Sequence, residues 1–302
     1  MNPPALFSAF SGGTAYIDEQ FVPISEARIP ILDWGFLHSD ATYDVAHVWK
    51  GSFFRLEDHL DRFFRSMQHL QMNLPHTRDR IREILLECVR KSGLQDAYVE
   101  MICTRGIPAP GNRDPRRCIN RFYAFAAPFV WIADPEKQKV GLHLIISQVH
   151  RIPETCVDPT VKNYHWLDLV TGLYEAYRRG GETAILTDRE GNVVEGPGFN
   201  IFAVKKGRLA TPAHGVLQGI TRKTVIEISQ TMNIPIELRN VSAGEIRQAD
   251  EVFITSTAGG IMPVTMVDNH QAGDGKPGPV TVQLQKEYWS LHRNSRYASP
   301  VQ

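Results

Sequence analysis

The sequence is poor in cysteine and has no paired cysteine motif. Its 302 residues contain four cysteines, Cys88, Cys103, Cys118 and Cys156, and none belongs to a Cys-x-x-Cys pair. This spacing argues against a disulfide framework or a cysteine-based zinc site. We therefore expect reduced, mostly buried thiols and no bound metal.

The chain also lacks an excess of charge and any long apolar run. Lys plus Arg and Asp plus Glu both number 33, so the formal net charge is +0. No overall attraction to nucleic acid or to an anionic membrane follows from this balance. The segment Met1–Phe10 has no basic region followed by a long apolar run, which predicts a cytoplasmic protein without a membrane segment. Its partners are expected to be small molecules or proteins.

The length favours two domains. Residues 131–138 break the periodicity of the flanking elements, so we predict a small α/β domain over 1–130, a linker over 131–138 and a larger domain over 139–302. Hairpins with interspersed helices are typical of a mixed α/β or α+β fold and argue against a TIM barrel. The loop 106–117 is rich in Pro, Gly and Arg, and its length indicates a binding loop.

Hydrophobic periodicity predicts the individual elements. Helices are expected near 56–71, 80–92, 168–179 and 221–232. Strands are expected at 15–17, 20–23, 52–56, 96–104, 121–129, 140–149, 182–187, 192–195, 199–205 and 251–256.

Four short segments in the second half carry the chemistry: Val161–Trp166, Val194–Asn200, Gly215–Arg222 and Thr255–Gly260. The first offers an amine that can condense with an aldehyde, and the second offers a carboxylate that can protonate a pyridine nitrogen. The other two are turns rich in glycine and hydroxyl groups, whose amides can hold a phosphate. Each alone is also typical of a surface lysine or a plain helix start. Their combination and order match the three handles of pyridoxal phosphate.

The set resembles the fold type IV pyridoxal phosphate enzymes. These include branched-chain and D-amino acid aminotransferases, aminodeoxychorismate lyases and (R)-selective amine transaminases, and the last group is the most similar. The resemblance runs from about Ala15 to Val301. It implies a transaminase that moves an amino group from an (R)-amine or a D-amino acid to a keto acid such as pyruvate. It also implies a homodimer in which a loop of the partner subunit completes each active site.

The resemblance assigns the cofactor-binding residues. Lys162 is the Schiff-base former and acid/base catalyst, and Trp166 and Leu167 after it are expected to lower its proton affinity by desolvation. Glu195 faces the pyridine nitrogen. A contact pair of unit charges is worth about 4 kcal/mol at an effective dielectric of 20, enough to keep that nitrogen protonated. The phosphate is assigned to the start of one helix, to a glycine-rich turn and to one helical arginine: Ile220, Thr221, Thr257, Ala258 and Arg62.

The substrate pocket distinguishes the subfamilies. Branched-chain aminotransferases carry Tyr-x-Arg where this chain has Tyr98-Val99-Glu100, and Glu100 should repel an α-carboxylate. The segment 38–45 is similar to the pocket segment of the (R)-selective amine transaminases. Leu167 stands where branched-chain aminotransferases have the tyrosine that contacts the ring hydroxyl; Tyr164 is present but differently placed. The predicted pocket residues are His38, Tyr43, Val45, Tyr98, Glu100 and Trp166.

Within the 106–117 loop, Arg113 is the first candidate and Arg116 the second for binding the carboxylate of a keto acid. A branched-chain or D-amino acid aminotransferase remains an alternative, as does a lyase of the same fold. A nonenzymatic binding protein is disfavoured by the intact lysine, glutamate and helical arginine. A hydrolase using the consecutive residues 38–40 is disfavoured because such a triad cannot converge on a regular element.

Overall fold

The computed structural model describes residues 12–302, which contain eighteen strands and eight α-helices, and the segment Met1–Phe10 lies outside them. The strands are β1 (Thr14–Ile17), β2 (Gln20–Pro23), β3 (Ala41–Trp49), β4 (Ser52–Phe54), β5 (Ala97–Ile107), β6 (Ile119–Pro128), β7 (Leu142–His150), β8 (Thr183–Thr187), β9 (Asn192–Val193), β10 (Glu195–Gly196), β11 (Phe199–Lys205), β12 (Arg208–Thr211), β13 (Ile236–Leu238), β14 (Val241–Ser242), β15 (Glu251–Ser256), β16 (Gly260–Val267), β17 (His270–Gln271) and β18 (Ala298–Pro300). The helices are α1 (Trp34–Leu37), α2 (Leu56–His69), α3 (Arg78–Ser92), α4 (Pro135–Val140), α5 (Leu167–Arg178), α6 (Ile220–Thr231), α7 (Ala243–Arg247) and α8 (Pro279–Leu291).

The chain forms two compact units. Among the described residues, unit 1 contains 12–130 together with Val161–Tyr164 and His292–Gln302, and unit 2 contains Trp131–Thr160 and His165–Leu291. The sequence led us to expect consecutive domains. In the structure, two short segments from later in the chain belong to unit 1. In the stretch expected as a linker, α4 begins at Pro135 because the Asp134 side chain accepts a hydrogen bond from the Lys137 amide at 2.8 Å.

Unit 1 is built on an antiparallel sheet of seven strands in the order β18-β4-β3-β5-β6-β1-β2. One face of its central strands is apolar because alternate residues of β3 and β5 point the same way. Helices α2 and α3 contribute their apolar stripes to the same core. Representative members of this core are Ala46, Val48, Leu60, Phe63, Ile84, Val99, Met101 and Cys103.

The opposite side-chain set on the same two strands is largely polar or aromatic. In β3 this set contains Tyr43 and Val45, and in β5 it contains Tyr98 and Glu100. Val45 is the direct cross-strand partner of Glu100, so the antiparallel register brings the two strands' pocket residues together. The sheet therefore separates the hydrophobic core on one face from a second face that carries predicted site residues.

Unit 2 contains a mixed sheet of eleven strands. Its main path runs β13-β12-β11-β15-β16-β7-β8-β9-β14, and β10 and β17 pair with β11 and β16. The pairs β16/β7 and β7/β8 are parallel. Helix α5 packs on β7 and β8, while α6 and α8 pack against each other. The apolar core includes Leu144, Ile185, Ile201, Val252, Ile254, Met262 and Val264.

The structure confirms the predicted helices and most predicted strands to within a few residues, and the mixed α/β fold class is correct. The elements that were not predicted are β3, β12, β13, β14, β16, β17 and β18 among the strands and α1, α4, α7 and α8 among the helices. In β3 every residue from Ala41 to Val48 is buried, so the alternation of exposed and buried positions that reveals a strand is absent. The cysteines are less buried than expected: Cys88 and Cys103 are buried, but Cys118 is partly exposed and Cys156 is exposed. Within residues 12–302, no helix is both long and apolar enough to span a membrane.

Candidate active site

The lysine segment of unit 1 lies at the start of β3. The Lys162 carbonyl accepts hydrogen bonds from the Thr42 hydroxyl at 2.7 Å and from the Tyr43 amide at 3.2 Å. Thr42 and Asn163 also form an isolated antiparallel bridge. These bonds fix the backbone of Lys162, so the side chain is presented from an ordered position.

The side chain of Lys162 lies among aromatic and acidic groups. Its Nζ is 4.2 Å from the centroid of the Tyr43 ring, a cation–π contact. The Tyr43 and Tyr164 rings are stacked, with centroids 4.2 Å apart and an interplanar angle of 8°. The Tyr164 hydroxyl donates to Glu100 Oε1 at 2.5 Å, and Tyr98 also hydrogen-bonds to Glu100. Three predicted pocket residues and the predicted catalytic lysine are therefore brought together in unit 1.

The proton equilibria of this cluster are perturbed. Burial raises the pKa of Glu100, although the Tyr164 hydrogen bond and the Lys162 charge act in the opposite direction. Burial, and then the nearby Glu100 carboxylate, raise the pKa of Tyr164 far above its usual value. Burial also raises the pKa of Tyr98, so Tyr164 and Tyr98 are neutral donors at physiological pH.

Arg62, the predicted phosphate ligand, is buried and bound by Asp44. Its Nε and Nη2 donate to the two Asp44 oxygens at 2.7 and 2.8 Å, a bidentate pair. His59 Nδ1 is 2.8 Å from the same carboxylate. Burial would raise the pKa of Asp44, but Arg62 and His59 together hold it well below its usual value. Asp44 thereby fixes the orientation of the arginine.

Glu195 in unit 2 is the centre of a second buried network. Its Oε1 accepts from Arg151 Nε at 3.0 Å, and its Oε2 accepts from the Leu217 amide at 2.9 Å. Arg151 Nη1 donates to Asp168 Oδ2 at 2.7 Å. Burial would lower the pKa of Arg151, but the two carboxylates outweigh it and the pKa is raised. With all three side chains ionised, the triad of Arg151, Asp168 and Glu195 carries one net negative charge.

The loop before α6 is attached to the same network. The Asn200 side chain donates to the Leu217 carbonyl at 2.9 Å. A Cβ on Gly219 would lie 2.1 Å from Asn200 Oδ1, so a larger residue here would have to displace the Asn200 side chain from its bond to Leu217. Gly219 is the N-cap of α6 and provides no side-chain cap. The first amides of α6, including those of Ile220 and Thr221, thus have no intrahelical acceptor and suit an anion.

The turn after β15 is the other predicted phosphate-binding element. The Ser256 hydroxyl donates to the Gly198 carbonyl at 2.8 Å and accepts from the Ala258 amide at 3.1 Å. The Ala258 amide, predicted to bind phosphate, therefore already has an acceptor within the turn. Thr255 Oγ1 is buried and has no hydrogen-bond partner among residues 12–302.

These features fit pyridoxal phosphate. A triad of net charge −1, with Glu195 buried and Arg151 and Asp168 partly buried, suits a protonated ring nitrogen, because a buried charge without a counter-charge is costly. The uncapped α6 start and the orphan Thr255 hydroxyl suit a polar anionic group. Among the described residues, no cluster of three or more His, Cys, Asp or Glu side chains is arranged to hold a metal ion.

Other predicted residues lie away from these clusters or are placed differently. His38 is exposed, and its ring packs edge-on against Trp34 in unit 1. Trp166 in unit 2 caps α5 and lies near Gly198. The expectation that Leu167 desolvates the lysine is wrong, because Leu167 begins α5 and is 85% exposed.

The sequence did not single out Asp44, Arg151 or Asp168. Each is a common charged residue whose role depends on a partner 15 or more positions away in the chain, and no local motif indicates such pairing. Thr255 belongs to the segment Thr255–Gly260, which the sequence analysis identified, but it was not itself proposed as a ligand. Its burial near the end of β15 is visible only in the structure.

The Glu195 network gives a testable expectation. Arg151→Met leaves two buried carboxylates without their cation and should lower the free energy of unfolding by about 3–5 kcal/mol. Adding Asp168→Asn should recover part of this loss. Urea unfolding of the cofactor-free protein measures both. Lys205→Met, which breaks an exposed pair with Asp250, is the control and should cost less than about 1 kcal/mol. Equal costs for Arg151→Met and Lys205→Met would contradict the network's importance.

Comparisons with known proteins agree with this chemistry. Residues 41–267 match the family model described as amino-transferase class IV. The chain is 32% identical over 287 residues to a branched-chain-amino-acid aminotransferase of Pseudomonas aeruginosa, covering 92% of both chains. It is 28% identical over 274 residues to a D-alanine aminotransferase of Listeria monocytogenes, covering 90% of this chain and 93% of that protein.

Solved structures give the same result. A branched-chain aminotransferase of Thermoproteus uzoniensis, solved with norvaline, superposes with a TM-score of 0.87 at 27% identity over 96% of this chain and 99% of that chain. The branched-chain amino acid aminotransferase of Thermobaculum terrenum in its PLP form gives 0.86 at 28% identity over 96% and 98%. The family match over most of the chain, together with these likenesses, shows that the protein belongs to the class IV aminotransferases.

Proposed function

We propose that this chain is a transaminase that moves an amino group from an (R)-amine or a D-amino acid to a keto acid such as pyruvate. Its cofactor is pyridoxal 5'-phosphate, the group named for the Thermobaculum terrenum relative. When bound, this cofactor supplies an aldehyde that takes nitrogen from the donor and returns it to the acceptor.

The side chains of the chain have separate roles in this proposal. Lys162 would hold the cofactor through its aldehyde carbon, with loss of one water, and its amine, when free, would carry the proton at the substrate carbon. Glu195 holds a proton on the ring nitrogen. The amides of Ile220 and Thr221, the 257–258 turn and Arg62 bind the phosphate.

Glu100 is the observation that carries the preference for amines. It is 8% exposed, accepts a hydrogen bond from Tyr164 and lies on the strand where the resemblance expects an arginine. A carboxylate here provides no cation for an α-carboxylate, and in its ionised form it repels one. The pocket should therefore favour a neutral substituent on the amine-bearing carbon.

The names of the relatives support a second candidate. Both a branched-chain-amino-acid aminotransferase and a D-alanine aminotransferase align over nearly the whole chain. Either activity would require a cation that binds the substrate carboxylate. Because position 100 is a glutamate, that cation would have to come from another residue.

We also propose a homodimer. Unit 1 exposes the large apolar side chains of Ile31, Leu32 and Phe36 in and before α1, and unit 2 exposes one stripe on α5 that includes Leu167 and Tyr174. Contiguous exposed apolar surface of this kind is typical of protein interfaces. A second copy of the chain is the partner that the resemblance implies.

A donor panel tests the proposed specificity. With pyruvate as acceptor, (R)-1-phenylethylamine and D-alanine should be converted, whereas (S)-1-phenylethylamine and L-leucine should react at least tenfold more slowly, about 1.4 kcal/mol in the barrier. Ketone formation and pyruvate consumption measure the rates. Preference for L-leucine with 2-oxoglutarate would instead identify a branched-chain aminotransferase.

The loop between β5 and β6 is the candidate for binding the keto acid's carboxylate. Arg116 is bound to Asp114 through Nη2 at 2.7 Å, which occupies its guanidinium. Arg113 is exposed and makes no hydrogen bond or ion pair with another described residue. Its guanidinium is therefore the more available of the two for a substrate carboxylate.

Arg113→Ala should weaken reaction with pyruvate and D-alanine strongly, because a partly desolvated guanidinium–carboxylate pair costs about 2–5 kcal/mol to lose. The half-reaction with a neutral (R)-amine should be nearly unchanged. Single-turnover absorbance changes measure each half-reaction separately, with Arg117→Ala in the same loop as the control. Equal losses in both half-reactions would show that Arg113 only shapes the loop. A selective loss in Arg116→Ala alone would transfer the role to Arg116.

A further inference from the structure

We infer that Glu100, positioned by Tyr164, is the counter-ion of the Lys162 side chain and stabilises its ammonium form. This inference deepens the proposed function, because it concerns the same lysine. It rests on a cluster found wholly within unit 1 and formed by β3, β5 and the segment Val161–Tyr164.

A chain of contacts links Lys162 to Glu100 through two tyrosine rings. Lys162 Nζ lies over the Tyr43 ring, and the Tyr43 ring is stacked on the Tyr164 ring. The Tyr164 hydroxyl donates to Glu100 at 2.5 Å, and the Lys162 charge acts on that carboxylate. Lys162 and Tyr164 are two positions apart, so one short segment supplies both the cation and the donor that orients its counter-ion.

Charge balance indicates the same pairing. The groups around the cluster are Asp44 on β3, Tyr98 on β5, and His59 and Arg62 on α2, besides the tyrosines already named. Arg62 and Asp44 neutralise each other as a bidentate pair. Burial lowers the pKa of His59, so its ring is neutral near pH 7. Lys162 is then the cation that acts on Glu100, and a buried carboxylate beside a cation is less costly than an isolated one.

Tyr164 is a positioning residue in this account. Glu100 is buried, and without hydrogen bonds a buried carboxylate takes up a proton. The hydroxyls of Tyr164 and Tyr98 stabilise the ionised form, which is the form that can act on Lys162. A purely structural role is the alternative, in which the Tyr164–Glu100 bond only attaches the 161–164 segment to β5.

Competitive acetylation of the cofactor-free, full-length chain distinguishes these roles. The rate at which acetic anhydride modifies Lys162 is measured against pH by peptide mass spectrometry, since only the neutral amine reacts. Glu100→Gln keeps a hydrogen-bond acceptor for Tyr164 but removes the charge. It should move the labelling midpoint to lower pH by about one unit or more. Tyr164→Phe should move it in the same direction by less, and Glu100→Asp should restore part of the shift.

Glu83→Gln removes a charge from an exposed site on α3 of the same unit and should leave the midpoint unchanged. A midpoint in Glu100→Gln equal to that of Glu83→Gln would overturn the inference and leave the bond a structural one. If Glu100→Gln does not fold, an unchanged midpoint in Tyr164→Phe would overturn it instead. The labelling needs no cofactor, so its outcome is separate from whether the chain is a transaminase.

Discussion

The partly buried contact between Arg151 and Glu195 is the constraint on which the proposed cofactor site of unit 2 depends. Arg151 holds Glu195 on one side, and the Leu217 amide holds it on the other. Asn200 binds the carbonyl of the same Leu217. The Glu195 carboxylate, which we propose faces the ring nitrogen, and the loop that begins α6 are thus fixed to each other, and a shift in one would move both.

The charged clusters of the two units differ in their net charge. The triad of Arg151, Asp168 and Glu195 keeps one net negative charge, which suits a cationic ring. The cluster around Lys162 balances to zero when Glu100 is ionised, because Arg62 is matched by Asp44. With a carboxylate at position 100, this strand offers no cation there to bind the carboxylate of an amino acid substrate. The Glu100 side chain can therefore affect both the pKa of Lys162 and the choice of substrate.

Sequence patterns predicted the elements and the four chemical segments because these depend on local periodicity and on short motifs. Helix α6 and the turn after β15 are examples. The partners of the functional side chains were not predictable. Asp44 meets Arg62 across 18 positions, and Arg151 meets Glu195 across 44; such pairing is set by strand register and helix packing. Strand β3 was missed because burial on both faces removes its alternation. Leu167 was expected to be buried near the lysine, but it is the first residue of α5 and is exposed.

We propose that Lys162 is the residue that bonds to the cofactor. Borohydride reduction of the protein loaded with pyridoxal phosphate, followed by digestion and mass spectrometry, tests it most directly. The account predicts that the reduced cofactor is found on the peptide containing Lys162 and that the protein loses its yellow colour on reduction. Recovery of the cofactor on another lysine, or an unmodified Lys162 in a fully reduced and loaded protein, would contradict it.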